Sequence, residues 1–284
     1  MSPIDHFSNG AFTPVLSYVM SVVGSLLGLV LASRARGAQG AARIRWLAVA
    51  AISIGGTGIW VMHFIAMMGF SVRGVGIRYD VPLTIVSAVV AIVMVGVGLL
   101  LVSRGGERLV PLALAGLLTG LGVAGMHYMG MAAMHMPVTT GYDPLLVAAS
   151  VLIAVVASTV ALWFTLRVEG ALATTGAALI MGLAVCGMHY TGMFSLSVSA
   201  MHPADGDALE GVPAISFLLP MLIGISLLTL VLLLTVMLSP SRRELETEAM
   251  LLAQLRDGGT GHAPSTPAPP ATPSMFDSRR PGGS

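Results

Sequence analysis

The sequence predicts an all-α integral membrane protein with seven transmembrane helices, built from three repeated helical hairpins and one extra helix. Its 284 residues are 55% hydrophobic and only 10% charged, whereas a soluble domain carries about 25% charged residues. Seven apolar stretches reach the ~20 residues that a helix needs to cross a bilayer core of about 30 Å. A short string of histidine, methionine and aromatic residues also recurs three times, which indicates a repeated structural unit.

The seven apolar stretches do not alternate between polar and apolar residues as a membrane β-strand would, so each is predicted to be a helix. Residues 1–11 contain Asp5 and lack a basic segment, which indicates that the first span is retained and not cleaved as a signal peptide. The predicted spans are approximately 12–33, 46–70, 81–103, 109–132, 144–166, 171–194 and 213–238.

Arginine placement predicts an N-terminus outside the cell and a C-terminus in the cytoplasm, because positive charges accumulate in cytoplasmic loops. The predicted outer side has only Arg73 and Arg78, and its longest loop is acidic. The predicted cytoplasmic side carries the other twelve arginines: Arg34, Arg36, Arg43, Arg45, Arg104, Arg108, Arg167, Arg242, Arg243, Arg256, Arg279 and Arg280. The second, fourth and sixth helices therefore run outward.

Four parts are expected along the chain. An outer N-terminal segment, 1–11, precedes the membrane domain, 12–238. Residues 239–256 mix charged and apolar residues in a pattern that suits a short amphipathic cytoplasmic helix. Residues 257–284 are dominated by Gly, Pro, Ser and Thr, so this tail is expected to be disordered.

The repeated string lies near the outer end of each outward-running helix. Aligned on its histidine, every copy has Met at −1, an aromatic residue at +1, Met at +4 and Gly at −7. The copies comprise Gly56, Met62, His63, Phe64 and Met67; Gly120, Met126, His127, Tyr128 and Met131; and Gly182, Met188, His189, Tyr190 and Met193.

This string can form a metal centre. Residues four apart share one face of a helix, so each histidine and its +4 methionine point the same way. Three such helices at one depth are expected to bring their imidazoles within reach of one ion, with the methionines lining a small chamber open to the outer surface. Thioether sulfur favours Cu(I) and imidazole also suits copper, so copper is the best match.

Packing is the alternative interpretation of each residue type. Methionine commonly fills gaps in apolar cores, the aromatics suit a membrane interface, and the −7 glycines suit close helix contact. Cys186 is predicted to be a buried apolar residue. A histidine inside a membrane span is costly, and its default interpretation is functional.

The remaining histidines are expected to have lesser roles. His135 and His202 lie in outer loops, where they are interpreted as ordinary loop residues, with metal transfer to the site as the alternative. His6 and His262 lie in ends that are expected to be flexible, and no role is assigned to them.

The three strings resemble those of the MHYT family of bacterial integral-membrane sensor domains, over residues 10–238. The first copy departs from the family pattern, with Phe64 in place of Tyr and Ala66 where the other copies have Gly130 and Gly192. The resemblance implies a bacterial inner-membrane sensor that holds copper and senses O2, CO, NO or redox state. It implies His63, Met67, His127, Met131, His189 and Met193 as ligands, with Met62, Met126 and Met188 as secondary candidates and Phe64, Tyr128 and Tyr190 as motif aromatics.

Many members of that family continue into cytoplasmic signalling domains. This chain is similar to the stand-alone members, so its signal is expected to pass to a separate, unidentified cytoplasmic or membrane protein. Nucleic-acid binding is not expected from the near-neutral net charge of +1.

Other functions remain open at this point. An outer-face copper-handling protein is one alternative, although conduction is disfavoured because few polar residues line the inner halves of the helices. Haem ligation by paired histidines is another. Retinal is excluded because its Schiff base requires lysine, and the chain has none. The sequence contains no recognisable nucleophile–base pair or acid pair, so an enzyme is not expected. Its single cysteine excludes an intramolecular disulfide and a Cys-rich metal site.

Overall fold

The computed structural model describes residues 4–105, 108–201, 211–238, 247 and 249–255. Contacts divide the chain into two units, Met1–Pro240 and Ser241–Ser284. Seven helices of the first unit are long and apolar enough to cross a membrane, which confirms the predicted multi-pass helical class. They are α1 (Phe12–Gly37), α2 (Gly40–Met67), α3 (Val81–Gly105), α4 (Leu109–Ala132), α5 (Pro144–Arg167), α6 (Ala171–Phe194) and α7 (Ala214–Leu238).

The largest difference from the predicted boundaries is at α2. This helix begins at Gly40, six residues before the predicted start, so its first turns include Arg43 and Arg45, which the prediction placed in a connection. Arg43 is accommodated there by donating to the backbone oxygen of Ser103, at the end of α3. A long arginine side chain can keep its charge at a membrane surface while its stem lies along the helix.

Six of the helices form a closed ring. Each of α1 to α5 contacts the next helix in sequence, and α6 contacts α1. The α7 helix lies outside this ring, against α1 and α2. The three predicted hairpins therefore pack side by side around one axis, with the seventh helix outside the repeat as expected.

Within α2, residues Ile52–Val61 form a π-helix between two α-helical segments, Gly40–Ala51 and Met62–Met67. The predicted close contacts hold for Gly120, where a Cβ would overlap the Val155 backbone, and for Gly182, where it would lie 2.7 Å from a Val22 methyl. The prediction is wrong for Gly56, because a Cβ there would lie 3.6 Å from Ile92, an ordinary contact. Its neighbour Gly55 makes the close contact with α3 instead, because a Cβ added there would lie 2.7 Å from the Ala91 oxygen. The wider π-helical turn changes which glycine faces the neighbouring helix.

Short antiparallel strands cover the end of the bundle at which α2, α4 and α6 finish, hereafter the motif end. The strands are β1 (Ile4–Asp5), β2 (Ser71–Val72), β3 (Arg78–Tyr79), β4 (Met134–His135), β5 (Val138–Tyr142), β6 (Leu196–Met201) and β7 (Val212–Pro213). Strand β1 pairs with β2, a three-stranded sheet has the order β4–β3–β7, and β5 pairs with β6. None of these strands is predicted from the sequence, and β7 includes Pro213, the first residue of the predicted seventh span.

The opposite end, hereafter the arginine end, has short connections and is held by arginines of the first hairpin. Arg34 donates to the Val236 oxygen of α7. Arg36 donates to the oxygens of Thr165 and Val168, where α5 ends. Together with Arg43, these side chains bind the carbonyl ends of three helices, where cations are favoured by the helix dipole.

The outer surface of the bundle is strongly apolar, as a lipid-facing surface must be. Leu109, Leu145 and Leu172 are each at least 78% exposed. In the second unit, residues 249–255 are helical and expose Met250, Leu251, Leu252 and Leu255. The predicted disordered tail, 257–284, lies outside the described residues.

Candidate metal centre

The three motif histidines meet on the axis of the ring. Nδ1 of His63 lies 2.9 Å from Nδ1 of His189 and 3.1 Å from Nδ1 of His127. The ring centroids are 4.9 to 5.1 Å apart, and the rings are nearly perpendicular to one another. All three side chains are fully buried, with 0–1% exposed. The predicted convergence of the three imidazoles is confirmed.

One ion fits this arrangement. The candidate ligand atoms all lie within 4.8 Å of one another. Because an imidazole nitrogen binds a metal at about 2.0–2.1 Å, two nitrogens on one ion are separated by roughly 3–3.5 Å. Within the described residues, no other group of three or more His, Cys, Asp or Glu side chains is close enough to share an ion.

The other nitrogen of each imidazole is buried and has no hydrogen-bond partner. Nε2 of His63 lies against Gly130 of α4, where an added Cβ would overlap it. Nε2 of His127 lies against Gly192 of α6 in the same way. Each of these glycines occupies the +3 position of the next copy of the motif, so it leaves room for the imidazole of the preceding helix. Ala66 occupies that position in the first copy.

The +4 and −1 methionines have different surroundings. Met67, Met131 and Met193 lie together in one apolar cluster at the motif end, with Phe70 and other buried residues. The −1 methionines are divided: Met62 packs beside Cys186, while Met126 and Met188 belong to the main core of the bundle. Only the +4 set therefore forms a common layer next to the imidazoles. Cys186 is buried as expected.

The methionine layer is closed, contrary to the open chamber expected from the sequence. Met67, Met131 and Met193 are only 1–2% exposed. Above them, Tyr79 of β3 is buried against Phe64 and Phe217, and burial raises the pKa of its hydroxyl. The expectation failed because the connecting segments pair as strands and cover the helix ends.

Comparison with known proteins agrees with this repeat architecture. A family model described as "MHYT: Bacterial signalling protein N terminal repeat" matches residues 56–115 and 120–178. The chain belongs to the MHYT family. The matches begin at Gly56 and Gly120, the −7 glycines of the first two copies. The third MHYT copy, which begins at Gly182, lies beyond the matched residues, although its histidine completes the cluster.

Three curated signalling proteins are similar to this MHYT chain. It is 37% identical over 248 residues to the bifunctional diguanylate cyclase/cyclic di-GMP phosphodiesterase MucR of Pseudomonas aeruginosa, covering 84% of this chain and 35% of MucR. It is 34% identical over 209 residues to the cyclic di-GMP phosphodiesterase NbdA of the same species, covering 70% of this chain and 26% of NbdA. It is 32% identical over 203 residues to the signaling protein YkoW of Bacillus subtilis, covering 69% of this chain and 25% of YkoW.

The chain thus spans about a third or less of the length of these relatives. No solved structure matches it.

The MHYT aromatics each contact their own histidine edge to face, at centroid distances of 4.9 to 5.0 Å. Phe64, the departure from the family pattern, is fully buried beside Trp60, with ring centroids 5.0 Å apart. A tyrosine hydroxyl needs a partner when it is buried. Tyr128 has one, because its hydroxyl lies 2.6 Å from that of Ser150. Phenylalanine suits the apolar surroundings of the first copy.

His6 lies among ordered aromatic residues at the motif end, whereas the sequence predicts a flexible end there. Its ring lies 4.7 Å from that of Phe194 and 5.6 Å from that of Phe70. Partial burial lowers the pKa of His6, against the opposing effect of Asp5. The segment is held by hydrogen bonds from Ser8 to Gly69. Its position in the sequence gave no signal, because the pairing of β1 with β2 joins residues far apart.

His135, a loop histidine, does not join the cluster. It lies in β4, and it lines a surface pocket together with Asp80. His202, the other loop histidine, and His262 lie outside the described residues.

Proposed function

We propose that this protein is a bacterial inner-membrane sensor that holds copper through His63, His127 and His189 and responds to a diatomic gas or to redox state. One observation carries the proposal: three buried imidazoles with converging nitrogens, each from an equivalent position of a repeat. Three histidines in a membrane interior are costly, and a shared ion would satisfy their converging nitrogens. The proposal assigns no catalytic reaction to the chain.

Copper suits the surroundings of the triad better than a harder ion. Imidazole binds several metals, but the methionine layer, one helical turn from the histidines, contributes three thioethers, which favour Cu(I). Carboxylate oxygens, which Mg²⁺, Ca²⁺ and Mn²⁺ prefer, are not part of the candidate group. Met67, Met131 and Met193 are the additional candidate ligands, and Met62, Met126 and Met188 are secondary ones.

Haem does not fit the triad as it stands. Two imidazoles that ligate one haem iron lie on opposite faces of the porphyrin. The 2.9 Å separation between the Nδ1 atoms of His63 and His189 leaves no space for a macrocycle between them. An outer-face protein that hands copper to a partner remains the second candidate, favoured by the location of the triad next to a methionine layer.

The proposed output partner is a cytoplasmic or membrane protein that contacts this chain. The names of two relatives, MucR and NbdA, describe cyclic di-GMP turnover, so an enzyme of that second-messenger system is the proposed partner. The exposed apolar residues of helical segment 249–255 provide one contact surface for it.

The proposed orientation has the motif end outside the cell. It is supported by the clustering of arginines at the other end. A reporter fused after Ser239 should then be cytoplasmic, and one inserted at Asp205 should be outside. Both reporters on the same side would contradict it.

Metal analysis with gas titration tests the proposed function. The purified protein should contain about one equivalent of copper, and its absorption or infrared spectrum should change when CO or NO is added under reducing conditions. The variant with all three histidines replaced by alanine should show neither. Wild-type protein with one equivalent of copper but no response to gas or oxidant would favour the copper-handling role, and a Soret band would make haem the cofactor.

A further inference from the structure

A small cavity lies inside the ring, on the arginine-end side of the triad. Its volume is about 30 Å³, and its walls include Ile59, Val123 and Val185. Each of these residues comes four positions before one of the three histidines. Residues four apart lie on the same helix face, separated by about 6 Å along the axis. The cavity is therefore bounded by the layer of side chains one helical turn below the imidazoles.

The imidazoles lean toward this layer. The Cα–Cβ bond of a helical residue tilts toward the N-terminus of its helix. The N-termini of α2, α4 and α6 are at the arginine end, so all three histidine side chains tilt toward the cavity. Met188, next to His189 in the chain, forms part of the wall. The cavity thus lies about one helical turn from the candidate centre, on the side toward which the histidine Cα–Cβ bonds tilt.

The chemistry of the walls selects an uncharged, apolar guest. Val123 and Met188 are only 2–3% exposed, and Ser25 and Ser158 are the polar residues among those that line the space. A cavity needs roughly 10–15 Å³ to admit one water-sized molecule, and apolar cavities remain dry and accept guests such as xenon. A diatomic gas has the size and polarity for this space, whereas a hydrated ion does not.

The route to the cavity runs through the side of the ring. At the motif end, the closed methionine layer and the paired strands lie between the triad and the surface. On the α5 side, the cavity wall includes the small, partly exposed residues Ala157, Ser158 and Ala161, together with the buried Ala154. Apolar gases are more favourably dissolved in hydrocarbon than in water. The bilayer is therefore their reservoir.

We propose that this cavity is the docking site for the diatomic gas, which reaches the triad from the bilayer past α5 and not from the outer surface. The proposal rests on the proposed function for the identity of the guest. The cavity itself is testable without any metal.

Xenon in crystals of the purified protein tests the cavity. Pressurised crystals of the wild type should show xenon between Val123, Ala157 and Val185. The Ala157→Leu variant, which fills the space from α5, should lose that density, and Val123→Ile, a milder change from α4, should reduce it. Ala148→Leu makes the same change at an exposed position of α5 and should retain xenon. Absence of xenon from wild-type crystals would overturn the proposal.

The gas itself is tested on the copper-loaded protein. Ala157→Leu should slow CO association about tenfold, which corresponds to about 1.4 kcal/mol, while its copper content equals that of Ala148→Leu. Unchanged CO association in a variant that has lost xenon would overturn the proposed route. If the wild type holds xenon but no copper, the docking cavity stands and the copper sensor fails.

Discussion

The two ends of the six-helix ring place their polar side chains in opposite surroundings. At the motif end, three imidazoles from α2, α4 and α6 are buried against each other in an apolar core. At the arginine end, the charged side chains of Arg34, Arg36 and Arg43 bind backbone carbonyls at helix ends. The first arrangement leaves buried nitrogens without partners, whereas the second pairs a cation with the atoms that favour it.

This difference indicates that the motif end is a candidate binding site and that the arginine end has a structural role. A folded protein gains nothing from burying unsatisfied polar groups, which cost about 1–3 kcal/mol each. The motif end therefore carries a cost in the buried Nε2 atoms, and an ion bound at the converging Nδ1 atoms would add a favourable interaction there. The arginine contacts instead join helices at the other end. Substitutions at the motif end should change metal binding, and those at the arginine end should change stability.

The largest effect is expected for His63→Ala. Removing one of three ligands from a shared ion should lower the copper content from one equivalent to below about one tenth, because an incomplete set of ligands holds the ion weakly. His135→Ala, outside the cluster, should leave the content unchanged. A full equivalent in the His63 variant, measured by elemental analysis after dialysis, would mean that the imidazoles do not form one centre.

A smaller but more specific effect is expected for Gly192→Ala. The added Cβ would overlap Nε2 of His127 and displace that imidazole, so copper affinity should fall about 10–100-fold, as for the loss of groups that orient a ligand. Gly187→Ala, five residues earlier on α6, has open space around its Cβ and should bind copper normally. Equal affinities in competition titrations of the two variants would show that Gly192 does not shape the site.

The seven helices could be predicted because a bilayer imposes a minimum length and an apolar composition on every span. The three histidines could be predicted because each copy repeats the same residues at the same offsets on its helix. Their convergence followed from a common depth, a property that hydropathy reveals. The orientation of the chain stays a prediction, since arginine counts alone support it.

The remaining features depend on contacts between distant parts of the chain. The π-helix of α2 moves the close contact from Gly56 to Gly55, and no local signal distinguishes these neighbours. Gly130 and Gly192 leave room for the imidazoles of His63 and His127, and this role can be recognised only when the order of the helices around the ring is known. Strands of two residues, such as β1 and β2, form only because a partner segment is brought beside them, so the closed methionine layer could not be anticipated.

Arg36→Met tests the arginine end. It removes charge-assisted hydrogen bonds to Thr165 and Val168, each worth about 1.5–3 kcal/mol at most for charged groups, and the thermal midpoint should fall by several degrees. Arg45→Met changes an exposed arginine and should have little effect. Both variants should bind one equivalent of copper. Loss of copper at unchanged stability in the Arg36 variant would erase the distinction between the two ends.

The smallest effect is expected for single methionines, and it separates the +4 position from the −1 position. Leucine replaces methionine with little change in volume, usually at a cost below about 1.5 kcal/mol, so Met131→Leu and Met126→Leu should both fold. Met131 lies in the layer next to the imidazoles, whereas Met126 lies in the main core. If the +4 sulfurs assist copper, Met131→Leu should weaken Cu(I) binding a few-fold without lowering the stoichiometry, because Met67 and Met193 can substitute. Met126→Leu should match the wild type in the same competition titration. Equal affinities for all three proteins would assign the methionine layer to packing and leave the histidines as the only ligands.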